Sequence, residues 1–109
     1  MITTVEELDA ALLRAVEKAR QSGFRIVPTD RRSGRLECCP LGALIDPNGP
    51  SLNRFPTSYE CEDFGYVKRS LARGFAAGFD GEAFIPSTAN THAFELGRKW
   101  RKECERKAP

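Results

Sequence analysis

Three glycines set into apolar stripes constrain this chain most: Gly74 and Gly78 within "FGYVKRSLARGFAAGF", and Gly97 within "THAFELGRKW". Phe64, Val67, Leu71, Phe75 and Phe79 recur at helical spacing, which predicts a long helix starting at Cys61 or Glu62. Ala93, Leu96, Trp100 and Cys104 align in the same way and predict a last helix over 88–106. A glycine inside a helix costs about 1 kcal/mol relative to alanine. Its position on these stripes therefore points to helices whose backbones come close together.

A third helix is predicted at the N-terminus. Thr3 and Thr4 each precede a glutamate, Glu6 and Glu7, by three residues, the spacing of a capping box. Val5, Leu8, Leu12, Val16 and Ala19 then recur on one face until "QSG" ends the run. "FRIVPT", the turn residues of "DRRSGR" and Leu36 predict a β-hairpin over 24–38, with Pro28 at a strand edge or end because it has no amide to donate. Pro40 suits the first turn of a short helix over 41–45, and "DPNGPSLNRFP" stops it. The expected fold is α+β: three longer helices packed around one short β-hairpin, a single domain over 1–109 with a frayed tail at 105–109.

No stretch approaches the roughly 20 apolar residues of a membrane span, and the acidic N-terminus lacks the regions of a signal peptide. A cytoplasmic protein without a membrane partner is expected. Such a compartment keeps thiols reduced, so Cys38, Cys39, Cys61 and Cys104 read as free thiols rather than a disulfide framework. Adjacent residues of an extended chain point to opposite sides, so of Cys38 and Cys39 one packs and the other stands at the helix entry. At that entry the helix dipole favours a thiolate, making Cys39 the candidate reactive thiol. Catalysis by a cysteine also wants a base, and His92, the only histidine, has no partner assignable from sequence. The cysteines lack the paired spacing of a zinc site, and Asp80 and Glu82 are too few for calcium. No catalytic residue, metal or cofactor is assigned.

Charge is unevenly distributed. Residues 14–35 carry seven bases against two acids, whereas residues 37–63 carry five acids against one base. A molecule polarised in this way suits an oriented protein contact. The candidate partner-binding residues are Arg31, Arg32 and Arg35 of the arginine turn, Leu52, Arg54 and Phe55 of the following loop, and Tyr59 and Tyr66 near the acidic stretch. The alternative use is nucleic-acid binding through "GRKWRKECERK", with Arg98, Lys99, Arg101 and Lys102 as contacts and the arginine turn in support. Trp100 shares the apolar stripe, which makes it core rather than a stacking platform.

The segments "CCPLGAL" and "GFDG", with "LGRKWR" downstream, resemble small uncharacterised bacterial proteins. That resemblance implies no activity and no site residue. The sequence thus favours a non-enzymatic protein-interaction module or accessory subunit of a larger bacterial or mobile-element assembly, with another protein as partner. A small nucleic-acid-binding protein is the alternative, and a cysteine-dependent enzyme or redox sensor stands third.

Overall fold

The computed structural model describes residues 1–28, 36–46, 56–83 and 90–107. Its elements run α1 (Val5–Gln21), β1 (Arg25–Ile26), β2 (Glu37–Cys38), α2 (Pro40–Ile45), α3 (Ser58–Gly65), α4 (Arg69–Phe79) and α5 (Thr91–Lys107). This is an α+β architecture, with a two-stranded sheet beside the helices.

The helix starts follow local chemistry. Thr4 caps α1, its hydroxyl accepting from the Glu7 amide at 3.2 Å and donating to the Glu7 carboxylate at 2.9 Å. The Asn90 side chain accepts from the Ala93 amide at 3.0 Å, so α5 begins three residues later than the expected 88. At its other end α5 continues through Lys107, with Arg101–Glu105 and Glu103–Arg106 ion pairs along it. Residues 105–107 of the tail continue the helix, and residues 108–109 lie outside the described residues.

The glycines act as expected. A methyl on Gly78 would run into the carbonyl oxygen of Phe94, and one on Gly97 into that of Phe75. On Gly74 it would stand 2.5 Å from the Asn90 carbonyl. α4 and α5 therefore meet backbone against backbone, with Phe75, Phe79, Ala93, Leu96 and Trp100 buried along the seam. Phe75 and Phe79 stack at 5.8 Å between ring centroids. α1 closes the core with Leu8, Leu12 and Val16, and its Asp9 accepts a 3.0 Å hydrogen bond from the Trp100 indole.

Two expectations need correction. The strands are where the sequence placed them, but they pair in parallel, Arg25 opposite Glu37 and Ile26 opposite Cys38, so they do not form a hairpin. A tight two-residue turn cannot join a parallel pair; residues 27–36 connect these strands, and 29–35 of them lie outside the described residues. Arg25 sits across from Glu37, which is buried, and its guanidinium approaches the carboxylate at 3.9 Å. The second correction is that the long helix from Cys61 is two helices. α3 ends at Gly65, Tyr66 takes a left-handed conformation (φ 55°, ψ 40°), and Val67 pairs with Ile2 before α4 starts. Val67 and Leu71 keep their buried places, whereas Phe64 is exposed.

Candidate functional site

α3 and the residue after it form the most distinctive surface. Thr57 and Glu60 make a full capping box: the Glu60 amide donates to the Thr57 hydroxyl at 3.1 Å, and the Thr57 amide to the Glu60 carboxylate at 2.9 Å. The helix buries Cys61 and turns three aromatics outward, with Tyr59, Phe64 and Tyr66 respectively 63%, 65% and 66% exposed. Tyr59 and Asp63 stand four residues apart, as do Glu60 and Phe64, so aromatic and acidic side chains share faces of the helix.

Tyr66 occupies the position where a helix commonly ends on glycine. The Tyr66 amide donates back to the Cys61 carbonyl, as does the Val67 amide at 3.0 Å, which closes the terminus. Gly65 cannot take that role, because it serves another: a methyl there would stand 3.0 Å from the Ile45 side chain, so the glycine lets α3 lie on α2. Tyr66 is the only non-glycine residue with positive φ among the described residues, a conformation that costs an L-residue about 1 kcal/mol or more. The N-terminal segment fixes it there, since the Ile2 amide donates to the Tyr66 carbonyl at 2.6 Å and the Lys68 amide to the Ile2 carbonyl at 2.9 Å.

Beside this surface the Arg69 guanidinium lies over the Tyr59 ring, 4.9 Å from its centroid, and pairs with Glu62 at 3.3 Å. Of the partner-binding residues read from sequence, Tyr59 and Tyr66 thus lie on one exposed surface. Arg31, Arg32, Arg35, Leu52, Arg54 and Phe55 lie outside the described residues. Phe64 was assigned to the core by its spacing. The Thr-x-x-Glu signature at 57–60 was the signal for the separate start of α3.

The basic residues of α5 divide. Arg98, Lys99 and Lys102 are exposed. Arg101 turns inward, donating to the Phe79 carbonyl at 3.1 Å and pairing with Glu105 at 2.6 Å. Lys99 and Trp100 line a groove of about 500 Å³ between α1 and α5, together with Leu13, Arg20 and Glu103.

All four cysteines are buried and none forms a disulfide. Cys39 caps α2, its sulfur accepting from the Gly42 amide at 3.3 Å. Cys38 and Cys39 are both buried, contrary to the expectation that only one packs: the backbone stays extended through Cys39 before α2 starts at Pro40, and Glu37 on the other side of the strand from Cys38 is buried too, so both sides of this segment are covered. The Cys61 thiol is pushed up to about 12 by burial, then by the neighbouring Cys39 thiol and by Glu60, so it keeps its proton and is a poor nucleophile. Among the described residues no three His, Cys, Asp or Glu side chains converge as a metal site, and no helix is long and apolar enough to cross a membrane.

No protein-family model, curated protein or solved structure matches this chain.

Proposed function

We propose that this protein is a non-enzymatic interaction module, an accessory subunit of a larger cytoplasmic assembly of bacterial or mobile-element origin, and that it contacts its protein partner through α3 and Tyr66. One observation carries the reading: Tyr66 is a two-thirds exposed aromatic held in a left-handed conformation that glycine would adopt without cost. Strain of this kind is a mark of functional positions. Tyrosine and phenylalanine supply large contact area at protein interfaces, and Tyr59 and Phe64 are exposed on the helix that leads to Tyr66. Asp63 adds a negative rim suited to a partner bearing basic side chains.

The exposed trio Arg98, Lys99 and Lys102 favours nucleic-acid binding as the second reading. It is the weaker one, because Arg101 is committed to Phe79 and Glu105, and Trp100 is buried with its indole bound to Asp9. A cysteine-dependent activity comes third, and the burial of Cys39 lends it no support. The test is capture by the tagged protein from its native extract, with and without nuclease, beside a Phe64→Ser/Tyr66→Gly variant. A stoichiometric protein that persists after nuclease and is lost with the variant is expected. Capture of nucleic acid alone, or equal recovery by the variant, refutes the reading.

A further inference from the structure

We propose a binding site for a phosphate monoester in the cleft where the starts of α3 and α4 meet. The cleft has a volume of about 240 Å³ and is lined by Ser58, Tyr59, Arg69, Ser70 and Arg73. Among the described residues no carboxylate lines it, and every lining side chain carries a hydrogen-bond donor. Arg69 and Arg73 stand four residues apart on α4 and so project to the same side.

The arrangement matches a tetrahedral dianion better than a carboxylate. Two guanidinium forks supply positive charge and paired donors, while the Ser58, Ser70 and Tyr59 hydroxyls supply further ones. Arg69 is already held in place: its Nε faces Glu62 at 3.3 Å and its guanidinium lies over the Tyr59 ring. Lys68 precedes α4 without a side-chain cap, so the first amides of that helix add their positive field at Ser70. The cleft is wider than one phosphate group, which gives room for the carbon to which a monoester is attached.

This site goes beyond the partner reading: it shares Tyr59 with that surface, but Phe64 and Tyr66, the residues whose substitution tests that reading, do not line the cleft, so the two fail separately. The experiment is an amide-resonance titration of the whole protein with inorganic phosphate, O-phospho-L-serine and a phosphoserine heptapeptide, at constant ionic strength set with chloride. Saturable shifts centred on Ser58, Tyr59 and Ser70 are expected. Arg73→Ala and Arg69→Lys should each weaken binding by about tenfold, and Arg14→Ala at an exposed position of α1 should leave it unchanged. Heptapeptide affinity equal to or above that of phosphoserine assigns the phosphate to a phosphoprotein, and lower affinity to a small metabolite. Both results uphold the phosphate site. Shifts that fail to saturate, that spread equally to Arg98 and Lys102, or that survive both arginine substitutions overturn it. Arg73 is exposed, so its variant keeps the fold in which binding is read.

Discussion

Gly78→Ala tests the close approach of α4 and α5. In an isolated helix the change is favourable by about 1 kcal/mol, because alanine is the better helix former. Here the added methyl would meet the Phe94 carbonyl oxygen, with the Phe94 carbonyl carbon at 2.9 Å and the Arg98 amide nitrogen at 3.1 Å. These are backbone atoms of a helix, so no side chain can swing away to make room. α4 and α5 must separate by about an ångström, which loosens Phe75, Phe79, Ala93 and Leu96 along the seam. Overpacking of this kind costs roughly 3–4 kcal/mol, at the upper end of what added methyl groups do. After the propensity gain a net loss of about 2–3 kcal/mol remains, equivalent to roughly 10 °C in Tm for a chain of this length. Urea and thermal unfolding followed by circular dichroism measure it. Gly97→Ala, whose methyl would meet the Phe75 carbonyl from the other helix, should behave alike, and the two should not add because they open one seam. Gly81→Ala is the control: φ is +76° but no atom of the described residues stands within 4 Å, so only about 1 kcal/mol of backbone strain is expected. A Gly78→Ala protein as stable as wild type, or more so, would refute the packing.

Three further outcomes are expected. Thr57→Ala removes half of the α3 capping box and should cost about 1 kcal/mol by the same unfolding assay. Trp100→Phe keeps most of the buried area but loses the 3.0 Å bond to Asp9, for a loss of about 1 kcal/mol that a second substitution, Asp9→Ala, should not enlarge. The Cys61 thiol is raised from 9.0 to about 12 in the folded protein, so above pH 9 the unfolded chain loses a proton that the folded chain retains. Its contribution is intact below pH 9 and declines toward pH 12, by at most about 1.4 kcal/mol per pH unit. Cysteine labelling at pH 8 should therefore require unfolding, and rapid native labelling of Cys61 would contradict this.

Much of the helical framework is legible because its signals are local. Thr4 with Glu7 starts α1, Pro40 starts α2 behind Cys39, and the glycines mark the seam between α4 and α5. Strand direction is not local: two-residue strands carry no periodicity that distinguishes a hairpin from a parallel pair. Helical periodicity also runs on through the break at Tyr66, since Val67 and Leu71 remain buried on either side of the α4 start while Phe64 does not. The candidate surface was half visible, in Tyr59 and Tyr66. The strain at Tyr66 was hidden because the glycine beside it, Gly65, is taken by packing on α2.

The most direct measurement takes Tyr66→Gly alone and reads stability and partner capture on the same preparation. Because Tyr66 is exposed and left-handed, glycine should relieve about 1 kcal/mol of strain and raise Tm by a few degrees. If the tyrosine is kept for a partner, the stabilised protein should at the same time lose most of its captured protein after nuclease treatment. Unchanged capture by a more stable variant would contradict the claim that this surface carries the function.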